Sequence, residues 1–486
     1  MNVPSAEFLG FGAIVALLLN LGRPLFSRHA VSWRNAVMLA ANFVFLATFS
    51  LSPGAWLPYA AFMAVGYAGL RLMQSGSPAA RRLFPLLCAL MVFVFIWLKR
   101  YTLLPQASFL PFSYTIIGLS YVFFRVLHLI IDAKDDMLPV RVGLVSYLNF
   151  TLNFTSLVSG PIQRYQDYHP MEQQRGPTID LAGAGIAIER IVVGFFKVAV
   201  LSDLLLTLQT SELHALTPDQ PLLPRALDAA LVAAIYPVFL FCNFSGYTDV
   251  VIGVARFLGL VLPENFDRPF SAENFLTFWS RWHITLSNWL KTYVYAPLLI
   301  ALARRFPSRG AEPLLGVFAF FVTFFLVGIW HGRTSEFIVF GFLQGGGVAA
   351  NKLYQIAMTR RLGRSGYRKL CANGCYRALA RGLTFTWFAF TLFWFWSNWA
   401  QMRDYARAAG MPGLLLATVA ILLAATVLLA VVQVVRGWTL GITWCDQSVL
   451  LSRYTRTVWC TALVVVTASA TALLDLPAPD IVYRAF

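Results

Sequence analysis

The chain has 486 residues, of which 58% are hydrophobic and only 12% charged, and it carries a formal net charge of +16. With a mean hydropathy of +0.66, this composition excludes a water-soluble globule with an apolar core and a polar shell. The positive charge does not read as a nucleic-acid surface, because Arg and Lys gather in short connections between apolar runs.

Residues 1–20 lack a basic leader and a small-residue cleavage site, so they read as a retained first span with an outside N-terminus and no signal peptide. Spans are expected near 8–22, 35–51, 55–70, 83–98 and 113–131, approaching the ~20 residues needed to cross ~30 Å of hydrocarbon. Their connections alternate in charge. Arg23, Arg28 and Arg34 mark one side, Ser52-Pro53-Gly54 the other, and Arg71, Arg81 and Arg82 the first again, which is the positive-inside pattern. Residues 142–160 are apolar but studded with Asn149, Thr151, Asn153, Thr155 and Ser156, so a re-entrant or protein-buried segment is expected rather than a lipid-facing span.

Spans near 183–206 and 226–243 bracket an outside loop over 210–223. From Phe244 to Arg309 the pattern breaks. Gly246, Pro263, Pro269 and Pro297 interrupt it, and Asp249, Arg256, Glu264, Asp267, Glu273, Arg281, His283 and Lys291 stand beside Trp279, Trp282 and Trp289. Short, broken helices lining a cavity are expected there. Regular spans resume near 313–330, 335–357, 383–400, 413–435 and 457–475, with the densest basic block, Arg360 to Arg381, between them. The fold class is therefore all-α: a polytopic membrane helical bundle of roughly eleven to thirteen spans, with re-entrant and broken helices around a central tunnel, and one domain over 1–486.

Cys88, Cys242, Cys371, Cys375, Cys445 and Cys460 suggest neither a disulfide framework nor a zinc site, and Cys371 with Cys375 reads as two thiols on a cytoplasmic helix. No metal site is expected. Gly345-Gly346-Gly347 reads as close helix packing. Asp249, Glu264 and Arg256 read as an ion pair and helix caps, and His128 with Arg125 and Asp132 as an edge network. His29, His169 and His214 fall in expected loops and are given no role.

Two histidines carry the chemistry. On a continuous helix His283 would share a face with Trp279, Leu286 and Leu290, while Arg281, Thr285 and Asn288 would fall on another. His331 closes a long apolar run and is followed by Gly332. An imidazole titrates near ~6.5 in water and desolvation pushes it lower, leaving a neutral ring able to take a proton from a hydroxyl.

The run Asn243-Phe244-Ser245-Gly246-Tyr247-Thr248-Asp249, then Gly253-Val254-Ala255-Arg256, Leu262-Pro263-Glu264-Asn265-Phe266 and Trp279-Ser280-Arg281-Trp282-His283, resembles the membrane-bound O-acyltransferase family. So do Ser159-Gly160-Pro161-Ile162-Gln163-Arg164 and Trp330-His331-Gly332. The resemblance is to the bacterial branch that includes the alginate O-acetyltransferase membrane subunit and the teichoic acid D-alanyl transfer protein. It covers about 110–355, with additional C-terminal spans over 356–486. Ser280 departs from the pattern where the family usually carries a second basic residue, which weakens any argument about contacts to donor phosphates.

The resemblance implies acyl transfer from a cytoplasmic thioester, an acyl-CoA such as acetyl-CoA or an acylated carrier protein, to a hydroxyl of an envelope polysaccharide or an intermediary protein. No bound cofactor is implied. It assigns catalysis to His331 and His283, with Trp282, Asn288, Trp330 and Arg281 lining the substrate path, in a multi-pass protein of the bacterial cytoplasmic membrane. D-alanyl transfer is the nearest alternative. A solute transporter with a histidine proton relay and a non-catalytic scaffold are readings of other classes.

Overall fold

The computed structural model describes residues 1, 3–308, 310–441, 443–444, 447–448 and 452–474. Arg309, Cys445 and residue 475 of the last expected span lie outside the described residues. Regular structure is helical apart from two paired two-residue strands, Thr443–Trp444 and Gln447–Ser448. The described residues form two compact units, one built from 1–195 with 246–264, the other from 196–245 with 265–474.

The first unit contains α1 (Ala6–Leu25), α2 (Ala30–Ala47), α3 (Pro53–Met73), α4 (Pro78–Leu98), α5 (Leu119–Lys134), α6 (Leu144–Thr151), α7 (Tyr165–Glu172) and α8 (Leu181–Phe196). Ser5 caps α1 by accepting from the Phe8 amide. α5 is buried on nearly every face. Its Arg125 guanidinium donates to the carbonyls of Phe150 (3.2 Å), Thr151 (3.0 Å) and Ser156 (2.7 Å) and to Ser156 Oγ (2.7 Å). The polar, apolar-flanked segment after α6 is thus buried in protein, where an arginine supplies the donors that lipid cannot. Asn42 of α2 adds to this by donating to Asn149 Oδ1 and accepting from the Phe154 amide.

The second unit contains α9 (Asp203–Ala215), the first part of α10 (Leu222–Phe257), α11 (Phe275–Trp279), α12 (Ile284–Leu290), α13 (Ala296–Arg305), α14 (Glu312–His331), α15 (Ser335–Ala372), α16 (Gly374–Thr391), α17 (Phe393–Trp396), α18 (Trp399–Gly441) and α19 (Arg453–Leu474). Alanines of α10 (Ala229, Ala230, Ala233) pack with Tyr405, Ala409 and Ala417 of α18, and Tyr405 donates its hydroxyl to the Ala229 carbonyl. α14 and α15 meet along a glycine seam. A Cβ on Gly328 would lie 2.1 Å from Gly341 Cα, and one on Gly345 would lie 2.5 Å from the Phe321 carbonyl oxygen. This is small-residue packing of the kind membrane helices use in place of hydrophobic driving force. The expectation for Gly345–Gly347 holds at Gly345 and at Gly347, which abuts Trp387, whereas a Cβ on Gly346 meets nothing within 4 Å.

Eight helices among the described residues are long and apolar enough to cross a bilayer: Ala30–Ala47, Pro78–Leu98, Leu181–Ala215, Leu222–Phe257, Glu312–His331, Gly374–Trp396, Trp399–Thr439 and Arg453–Leu473. The larger number expected from hydropathy also includes α1, α3, α5 and α15, which are shorter, more polar or, for α5, packed inside the protein.

Three local expectations are corrected. α10 runs unbroken to Phe257. Gly246 does not break it but lets α8 approach, since a Cβ on Gly194 would sit 2.6 Å from the Gly246 carbonyl. The break therefore starts after Phe257, not at Phe244. His169 lies in α7, where its ring stacks on Tyr165, and His214 in the last turn of α9, rather than in loops. Asp249 and Glu264 pair not with Arg256 but with Arg190 of α8, which bonds Asp249 through Nε at 2.9 Å and Glu264 in a two-pronged contact.

Candidate functional site

The segment from Asn265 to Tyr295 is the broken region anticipated from sequence, and it is broken at His283 itself. α11 has five residues and α12 seven. Between them His283 takes a left-handed backbone conformation, φ 44° and ψ 54°, which an L-residue other than glycine adopts only when its surroundings enforce it. A continuous helical face shared with Trp279, Leu286 and Leu290 therefore does not exist.

The enforcing element is the strand-like stretch 265–267. Phe266 and Trp282 form an isolated antiparallel bridge, the Asp267 amide donates to the Arg281 carbonyl at 3.0 Å, and the Ile284 amide donates to the Asn265 carbonyl at 3.0 Å. Asn265, itself fully buried, also accepts at Oδ1 from the Thr285 hydroxyl (2.6 Å) and from the Thr285 amide (3.3 Å). His283 is thus bracketed on both sides by one short backbone stretch. After α12, a π-turn over Lys291–Tyr295 widens the helix before α13. Such turns recur at functional sites.

His283 has 0% of its surface exposed, and its ring lies edge-to-face with Phe244 (centroids 4.9 Å apart) and Trp330 (6.2 Å). It stands outside the long spans, and burial lowers its imidazole pKa by desolvation, which favours the neutral form. His331 is 2% exposed and ends α14. Its ring is enclosed by Trp330 (4.8 Å), Phe395 (5.3 Å) and Phe340 (6.1 Å). The next residue must be small, because a Cβ on Gly332 would lie 2.0 Å from the Phe337 ring. Trp330 is therefore in ring contact with both imidazoles.

The other residues singled out by sequence separate into two groups. Trp282 is buried in an aromatic nest of Phe266, Phe278 and Phe388 and fixes the turn that presents His283. Arg281 is committed to Ser271 Oγ at 2.5 Å, and Asn288 is exposed on α12. Sequence reasoning missed Asn265, Phe244, Phe340 and Phe395. The signal for Asn265 was present as the Pro-Glu-Asn-Phe phrase, but nothing in its chemistry showed that it would clamp a turn.

The phrase Ser159 to Arg164 is tied into the first unit. The Ser159 amide donates to the Tyr247 hydroxyl (3.2 Å), Gln163 donates to the Val261 carbonyl (3.2 Å), and the Tyr165 amide donates to His128 Nε2 (2.9 Å). His128 also faces Asp132 at 3.3 Å, and Asp132 accepts from Gln166 at 2.5 Å, so the expected edge network is present. It joins α5 to α7. Among the described residues no three His, Cys, Asp or Glu side chains converge as metal ligands. Four cavities among the described residues, of about 370 to 650 Å³, are lined by residues other than the two imidazoles.

The sequence profile of MBOAT, the membrane-bound O-acyltransferase family, matches residues 66–395, more than half of the chain and including both histidines. The chain belongs to the membrane-bound O-acyltransferase family. Among curated relatives of this MBOAT protein, the teichoic acid D-alanyltransferase of Bacillus subtilis is 32% identical over 230 residues, 46% of this chain and 56% of that protein. A probable alginate O-acetylase AlgI of Pseudomonas fluorescens is 30% identical over 330 residues, 66% of this chain and 61% of that protein. The peptidoglycan O-acetyltransferase of Helicobacter pylori is 28% identical over 214 residues, 44% of this chain and 38% of that protein. In each case the chain spans less than two thirds of the relative's length. This MBOAT protein is also multi-pass by the eight apolar helices above.

Proposed function

We propose that this chain is an O-acyltransferase that moves an acyl group, acetyl as first choice, from a cytoplasmic thioester to a hydroxyl on a cell-envelope polymer or an intermediary protein. The observation that carries the reading is that two buried imidazoles, His283 and His331, lie in ring contact with one indole, Trp330, inside a family of acyl-transfer proteins.

His331 is the general base. It takes the proton as the acceptor oxygen attacks the thioester carbonyl, the C–O bond forms, the C–S bond breaks, and the departing sulfur receives the proton to leave as a free thiol. His283, neutral and fixed by the Asn265 bracket, stabilises the developing oxyanion or orients the acceptor. Trp282 and Trp330 exclude water, which would otherwise hydrolyse the thioester. The donor is acetyl-CoA, another acyl-CoA or an acylated carrier protein, with no bound cofactor, and the location is a bacterial cytoplasmic membrane. The relatives' names support both acetyl and D-alanyl groups, and D-alanyl transfer from a carrier protein is the second reading.

The test is thiol release and acceptor acylation by the full chain reconstituted in vesicles, with acetyl-CoA and D-alanyl carrier protein offered separately. Acceptor-dependent thiol release identifies the donor. A His331→Ala protein that inserts normally should lose about 10²–10⁴ in rate. Wild-type turnover in that variant, or solute flux without any thioester, would overturn the proposal.

A further inference from the structure

The strongest charge asymmetry in the molecule lies at the junction of α15 and α16, away from the two imidazoles. Between Glu336 and Asp404 the sequence holds no Asp or Glu, yet it carries eight Lys or Arg residues before Gln401. Two of them are used internally: Arg377 Nε and Arg381 Nη2 both bond Glu273 Oε1, at 2.6 and 2.8 Å. Arg360, Arg361, Arg364, Arg368 and Lys369 are exposed.

The backbone here changes direction. Gly363, at φ 69° and ψ 165°, divides α15 into two helices, and a Cβ on it would meet nothing within 4 Å, so it is the left-handed conformation and not crowding that calls for glycine. The arm that follows, 364–372, leads straight into the apolar span Gly374–Trp396. Arg368 and Lys369 precede that span by five or six residues, across the extended Asn373, which keeps them beside its first turn. Long cationic side chains so close to a span can reach the polar headgroup layer, which is ~5–8 Å thick on each side of the hydrocarbon.

Exposed Leu362 lies between Arg361 and Arg364, and exposed Leu353 and Leu379 flank the cluster. An acidic protein surface offers nothing to such leucines, whereas a bilayer interface receives apolar side chains and cations side by side.

We infer that the segment 358–373 is a lipid-binding element that seats five cations on the phosphates of anionic phospholipids, Arg360 and Arg361 before the joint at Gly363 and Arg364, Arg368 and Lys369 on the arm after it. Clustered cations beside a span gain affinity additively from an anionic leaflet, and the attraction falls away with salt.

The experiment is amide hydrogen exchange on the full chain reconstituted in vesicles of pure phosphatidylcholine or of phosphatidylcholine with phosphatidylglycerol. Peptides covering 358–373 should exchange several-fold more slowly in the anionic vesicles, and the difference should vanish in about 1 M salt, where screening shortens the range to ~3 Å. A variant carrying R360Q, R361Q, R364Q and R368Q should exchange equally in both. Thermal melting of that variant in detergent, expected to match wild type, separates loss of binding from loss of fold. Equal exchange of the wild-type segment in both lipids overturns the inference. So does protection in phosphatidylcholine that appears only on adding an acidic carrier protein, or protection that inorganic phosphate alone supplies. None of these outcomes bears on acyl transfer, which the thiol-release assay reads independently.

Discussion

His283 shows how a single residue serves two masters. Its left-handed backbone is a folding constraint, the proposed mechanism gives its imidazole a chemical task, and substitution can separate the two. Asparagine tolerates the left-handed region better than other non-glycine residues. His283→Asn should therefore melt within a few degrees of wild type while losing acyl transfer, whereas His283→Val should lose an additional ~1–2 kcal/mol of stability from backbone strain. Paired melting and activity measurements decide this; equal activity in wild type and His283→Asn would remove the ring from the mechanism. Both histidines were visible in the sequence as ionisable groups amid tryptophans. The turn at His283 was not, because its cause is pairing with residues 265–267, and local periodicity cannot register a partner some twenty positions away.

At the scale of elements, the α14–α15 seam determines where His331 ends up. Gly328 and Gly341 bring the two backbones together three residues before the histidine. Gly328→Ala places a methyl against backbone that cannot move aside, so it should cost at least the ~1–3 kcal/mol of an overpacked core and lower the melting temperature. Gly346→Ala, on the facing helix α15 but directed at open space, should raise stability by up to ~1 kcal/mol through helix propensity. Thermal melts in detergent should move in opposite directions for the two variants, and a common direction would contradict the seam. Hydropathy located α14, and the glycine triplet announced close packing, but not which glycine of the three faced a neighbour. It also misread α10 as ending near 243, since a glycine that admits a neighbouring helix looks the same in sequence as one that breaks its own.

For the molecule as a whole, composition alone fixed the polytopic helical class, because backbone in lipid leaves few alternatives. The division into two units, with residues 246–264 belonging to the one built mainly from 1–195, was not legible, since it depends on contacts between distant parts of the chain. Nor was the polar cluster of Glu172 with Ser146 and His169, outside the spans. There burial raises the Glu172 carboxyl above the ordinary carboxylate range, against the opposing hydrogen bond from Ser146 and the charge of Arg34. A raised folded-state value means that ionised Glu172 costs stability at neutral pH, and that the cost fades as pH falls through the folded value toward the unfolded one, ~4.3. Glu172→Gln should accordingly melt above wild type at pH 7, with the gap closing in acid; a gap constant with pH would show that the carboxyl is not strained. Arg125 has a consequence for how the protein is made. Its acceptors lie 25 to 31 residues later in the chain, so α5 by itself would carry a bare guanidinium into the membrane, which is costly without partners. α5 should therefore settle into the membrane only together with residues 150–156, so that a chain truncated before Phe150 turns over faster than one that includes Ser156.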